Sequence, residues 1–189
     1  WNSFSIILKY IIVILSIIIT ARIASPSDFG IVAATGSVIS LFIMLSSFGF
    51  GQAIVGLKKI DKEYYDTLLT ISLLFAVFIY LFIFFISKPL SVYFANPIIE
   101  KILIISAISI FFTMSATIPR SIIERKLGYK NLVFIDISNN LISLIVIIYM
   151  ALYYRTIWIL IVPQLVAQFF SMVVAYSLSK YVPKLKINF

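Results

Sequence analysis

The chain has 189 residues, 62% hydrophobic, 16% aromatic and 12% charged, with mean hydropathy +1.14, where a soluble domain carries about a quarter charged residues. So little polar surface cannot cover a globule of this size, and so many apolar residues exclude disorder, which leaves a membrane protein. The absence of Cys and His removes disulfides, thiolate metal sites, the commonest general base and the commonest metal ligand. The seven acids fall mostly in loops, so an enzyme is hard to build and no metal or cofactor is expected.

A bilayer core of about 30 Å takes about 20 apolar residues at 1.5 Å each. Six stretches qualify: 3–23, 29–56, 66–87, 98–118, 132–154 and 156–179. The predicted fold class is an all-α integral membrane protein, a six-transmembrane-helix bundle forming a single transmembrane domain over 1–189. The first span is too long for a signal-peptide core and lacks a basic region before it, so it reads as a retained helix. It carries Ser5, Lys9, Ser16 and Thr20. Ser25-Pro26-Ser27-Asp28 then reads as an N-cap, a Pro at the first helical position and an acid at the third.

Span two is rich in small residues from Gly30 to Gly51, which suits tight packing. In span three, Leu73 to Ile86 is apolar and aromatic all round, which predicts an outermost, lipid-facing helix. Lys88-Pro89 is expected to close it, and Asn96-Pro97 to repeat the capping device before span four. Span four carries Ser106, Ser109, Thr113 and Thr117 with Arg120 continuing the line, and Pro119 is expected to end it. Span five places Asp136, Asn139, Asn140 and Ser143 at i, i+3, i+4 and i+7 on one face. Span six carries Gln164, Gln168 and Ser171 after Pro163.

Polar stripes on four of six helices point to a hydrated cleft, or else to tight helix contacts worth only about 0.6 kcal/mol each. Two intramembrane charges are sharper, because each costs about 2.5–3.5 kcal/mol at mid-membrane. Lys9 is either snorkelling to the interface or lining a cavity. Asp136 is either paired structurally, with Lys9 or Arg120, or part of a substrate or proton site. Arg22 and Arg155 sit at the ends of spans one and five, where an interfacial role competes with anion binding.

The net charge of +8 is topological in such a chain and not a nucleic-acid footprint. Lys58, Lys59, Lys62, Arg120, Arg125, Lys126, Lys130, Lys180, Lys184 and Lys186 fall on one side, against Arg22, Lys88, Lys101 and Arg155 on the other. The positive-inside rule makes the first side cytoplasmic, with both chain ends there. The chain starts at Trp1 and ends in a basic stretch without a closing feature, so it is expected to be part of a longer protein. The residues alone support a polytopic transporter or channel and no more.

Five segments add to this. Ala21-Arg22-Ile23-Ala24-Ser25-Pro26-Ser27-Asp28-Phe29-Gly30 resembles the signature after the first helix of polysaccharide transporters, and Phe48-Gly49-Phe50-Gly51-Gln52-Ala53-Ile54-Val55 resembles the end of their second. Pro119-Arg120-Ser121-Ile122-Ile123-Glu124-Arg125-Lys126-Leu127 is similar to the segment after their fourth, with Ile135-Asp136-Ile137 in the fifth. The tail Pro183-Lys184-Leu185-Lys186-Ile187 resembles the stretch between helices six and seven. The resemblance is to the O-antigen flippases and polysaccharide exporters, a branch of the MOP superfamily that also holds MATE-type multidrug exporters and lipid II flippases.

The resemblance implies flipping of undecaprenyl-pyrophosphate-linked oligosaccharide repeat units across the bacterial inner membrane, by alternating access and with an ion gradient as the candidate driving force. It implies two lobes around a central cationic cavity, of which this chain is the N-terminal one, so its partners are the lipid bilayer, a C-terminal lobe and the polysaccharide polymerase and export machinery. Candidate pathway residues are Lys9, Arg22, Arg120, Asp136, Asn139, Asn140, Gln164 and Gln168. A drug or other lipid exporter of the same superfamily is the alternative. A membrane enzyme would need loop carboxylates beyond Asp28, Asp61, Glu63, Asp66, Glu100 and Glu124, which sit in helix-cap or salt-pair contexts.

Overall fold

A computed structural model describes residues 2–47, 54 and 62–184. Among them every long element is helical: α1 (Asn2–Ala21), α2 (Pro26–Ser47), α3 (Lys62–Tyr93), α4 (Ile98–Arg125), α5 (Tyr129–Tyr153) and α6 (Val162–Ser179), with a 3-10 turn, Ile157–Leu160, before α6. Five helices are long and apolar enough to cross a membrane, and Ile6–Ala21 forms a shorter apolar stretch. The protein is an all-helical membrane bundle. Residues 48–53 and 55–56 of the second predicted span, with Gly49 and Gly51, lie outside the described residues.

The local chemistry sets the helix starts. At α2 the Ser25 hydroxyl accepts the Asp28 backbone N–H at 3.2 Å, while the Asp28 carboxylate accepts the Ser25 N–H at 2.9 Å. This reciprocal box satisfies two orphan donors, with Pro26 opening the helix where a missing N–H costs nothing. At α4 the Asn96 side-chain oxygen accepts the Ile98 N–H at 3.1 Å.

Two expected helix ends are corrected. α3 runs through Pro89 to Tyr93, and α4 runs through Pro119 to Arg125. A proline deletes one bond to the carbonyl four residues back, and a helix survives where that carbonyl finds another partner. For Pro119 the orphan is the Ser115 carbonyl, and the Tyr176 hydroxyl of α6 donates to it at 3.0 Å. That uses the phenol's one proton, so the Ser115 hydroxyl, 2.9 Å away, donates back to the Tyr176 oxygen.

Both helices stop within two turns of the proline by the same device. Ala95 and Leu127 have φ of 50° and 54°. The following N–H groups, of Asn96 and Gly128, return to Ser91 at 3.0 Å and Ile123 at 2.9 Å, closing a left-handed C-terminal cap. A Cβ on Gly128 would lie 2.9 Å from the Ile123 methyl and 3.1 Å from its carbonyl oxygen. Gly128→Ala is therefore expected to destabilise by about 1–3 kcal/mol through overpacking. Leu127→Gly should stabilise by ~1 kcal/mol, because it relieves a left-handed backbone. Thermal unfolding of both variants in detergent checks the opposite signs.

α4 is the hub, packed by α3, α6 and α2, while α5 packs on α6 and α1 on α5. α3 buries one stripe, Leu69, Ser72, Ala76, Ile79 and Ile83, at helical spacing, and leaves Phe78 and Phe85 63% and 73% exposed. It packs chiefly against α4, and its opposite apolar face is exposed.

Candidate functional site

The polar stripes converge. α6 forms the floor of a seam whose walls are α2 and α4 on one side and α1 and α5 on the other. Three adjoining cavities make it up. One of about 400 Å³ lies between α4, α5 and α6 and is lined by Thr113, Thr117, Arg120, Glu124, Asp136, Asn139, Gln168 and Ser171 among others. A second, of about 380 Å³, is lined by Ser16 and Thr20 of α1, Asn139, Asn140 and Ser143 of α5, and Gln164 of α6. A third, of about 130 Å³, joins Thr35, Gly36 and Ser40 to Ser106, Ser109, Gln164 and Gln168. Asn139, Gln164 and Gln168 each border two of them, so the three form one polar groove.

Arg120 on α4 and Asp136 on α5 meet at 2.8 Å, their side chains 36% and 45% exposed. Of the two candidate partners for Asp136, the guanidinium is the one engaged. The Asn140 amide donates to the Asp136 backbone carbonyl at 2.7 Å, a bond within its own helix that holds the side chain along the groove wall. Among the described residues, the buried Asn139 and Gln168 side-chain oxygens have no hydrogen-bond partner. Gln164 is exposed within the groove.

Six of the eight sequence-derived candidates thus come together. The other two do not border the cavities. Lys9 is exposed on α1, about two turns N-terminal to Ser16 on the face it shares with Ser16 and Thr20, and pairs with no carboxylate among the described residues. Arg22 is exposed in the turn after α1. Among the described residues lining the 400 Å³ cavity within this lobe, Arg120 stands against Asp136 and Glu124.

One polar centre escaped the sequence reading. Asp66, expected in a loop in a helix-cap or salt-pair context, is 3% exposed in the first turns of α3. Its carboxylate accepts the Tyr181 hydroxyl and, at 3.1 Å, the Lys184 backbone N–H, so it holds the segment that follows α6. Tyr181 stacks on Tyr176 with ring centres 6.2 Å apart. Burial above all, then the bond to Asp66 and its negative charge, pushes the Tyr181 phenol well above its usual range. Partners more than a hundred residues apart leave no spacing signal in a sequence.

Residues 19–189 match the family model described as polysaccharide biosynthesis protein. Over 167 residues the chain is 26% identical to the succinoglycan biosynthesis transport protein ExoT of Rhizobium meliloti (strain 1021), covering 88% of this chain and 34% of that protein. The chain therefore spans about a third of the length of that curated relative. No solved structure matches. The family match begins near the end of α1 and takes in the turn signature, the capped start of α2, the Arg120–Asp136 pair and the segment clamped by Asp66, and the chain accordingly belongs to the polysaccharide biosynthesis protein family.

Proposed function

We propose that this chain is the N-terminal lobe of a transporter that flips lipid-linked oligosaccharide repeat units across the bacterial cytoplasmic membrane, by alternating access against a second lobe. The observation that carries the reading is the groove: amides, hydroxyls and one ion pair gathered between helices that are otherwise apolar. Polar groups inside a membrane bundle are costly and mark ligand paths. A lipid-linked saccharide must move its head group along such a path while its tail stays in lipid. The family membership and the transport protein among its relatives favour a polysaccharide intermediate as cargo.

In this reading Arg120, Asp136, Asn139, Asn140, Gln164 and Gln168 face the head group. Lys9 and Arg22 act further out, at the membrane surfaces. The lysine- and arginine-rich end of the bundle is cytoplasmic, and polymerase and export proteins receive the flipped unit. Deleting the gene should abolish surface polysaccharide and accumulate lipid-linked repeat units on the cytoplasmic leaflet, with the full-length gene restoring export. Normal surface polysaccharide in the deletion strain sinks the proposal. Drug sensitivity without a polysaccharide defect favours the multidrug exporter instead.

A further inference from the structure

Resting on that transport reading, we infer that the cavity between α4, α5 and α6 is a subsite for the uncharged, hydroxyl-bearing part of the saccharide, read by hydrogen-bond acceptors, and that phosphate groups of the cargo bind elsewhere. Two independent observations carry this. The first is the pair of unpartnered acceptors. Asn139 Oδ1 and Gln168 Oε1 are both buried, both border the same 400 Å³ cavity, and neither finds a donor among the described residues. Buried polar atoms left unmade cost free energy, and a ligand that supplies O–H groups removes that cost. Sugar hydroxyls are such donors, whereas a phosphate only accepts and leaves these oxygens unpaired unless both amides turn over.

The second observation is the charge balance. Arg120 is already neutralised by Asp136 at 2.8 Å, and Glu124 adds a second carboxylate to the lining. A cavity whose described lining carries one cation and two anions repels a pyrophosphate. It suits a polyol, which both carboxylates can accept hydrogen bonds from. Phe112, in the same wall, offers an apolar surface to the C–H face of a sugar ring.

The test separates acceptor from donor at one position. In the full-length protein, in its own deletion strain, surface polysaccharide is measured per unit of transporter in the membrane for Gln168→Glu, Gln168→Leu and Gln168→Lys. Glu keeps an acceptor, Leu keeps neither and Lys keeps only donors. Leu and Lys are expected to lose about tenfold, the scale of one buried hydrogen bond, with Glu retaining several times more output than either. Asn139→Asp against Asn139→Leu repeats the comparison, and decides it if Gln168→Lys does not accumulate in the membrane. Thermal unfolding of the Leu variants should be no lower than that of the parent, because each removes an unpaired polar atom. Equal loss in all three Gln168 variants, full activity of Gln168→Leu, or better retention by Lys than by Glu overturns the inference. Failure of the transport reading is seen separately, as normal surface polysaccharide in the deletion strain.

Discussion

Asp66→Ala is expected to lower the stability of the folded chain by about 3 kcal/mol, because it strips a buried carboxylate from two donors at once and leaves both unpaired. The donors are the Tyr181 hydroxyl and the Lys184 backbone N–H. Asp66→Asn keeps one acceptor oxygen and should lose about half as much. Denaturant titration in detergent checks the ranking; equal stability of the Ala variant and the parent would show that the clamp contributes nothing.

The same centre predicts a pH dependence whose sign is fixed. In the folded chain the Tyr181 phenol titrates above its usual range, so it stays neutral where the unfolded phenol ionises, near pH 10. The stabilisation is fully present below that pH and is lost as pH climbs above it toward the folded value. The unfolding midpoint should therefore fall between about pH 9.5 and 11, and Tyr181→Phe should flatten that fall. Parallel curves for parent and variant would remove Tyr181 as the cause.

The second large effect concerns transport. In the full-length protein Asp136→Asn is expected to cut polysaccharide output by about tenfold, equivalent to ~1.4 kcal/mol, with little change in membrane protein level. With side chains 36% and 45% exposed, the Arg120–Asp136 pair is screened by water, and its share of folding stability is about 0.5 kcal/mol. Placing two charges in a membrane segment is more costly than that, so folding stability alone does not account for them. Arg120→Ala with Asp136→Ala separates the roles. A purely structural pair regains protein level and output when both charges go, whereas a pair that meets the head group stays inactive. Lys9→Ala should matter less, because Lys9 is exposed and lies apart from the groove lining.

What could be read beforehand follows from what is periodic. The helical spacing of Asp136, Asn139, Asn140 and Ser143, and of Gln164, Gln168 and Ser171, is local, so their shared faces were legible and they do line one groove. The Ser25–Asp28 box is equally local. The prolines misled because a break depends on whether the freed carbonyl finds a partner. For Pro119 that partner is Tyr176, 61 residues from Ser115. Asp66 looked like a cap because its neighbours in sequence are polar, while its true partners arrive only after α6 has packed.

The attachment of α1 governs the order of assembly. Among the described residues its extensive packing is with α5, which begins more than a hundred residues downstream. During synthesis at ~5–20 residues per second, α1 is therefore complete roughly 5–20 s before α5 begins. The exposed Ile and Leu side chains along its length suit that solitary interval, and the far wall of the groove closes only when α5 docks.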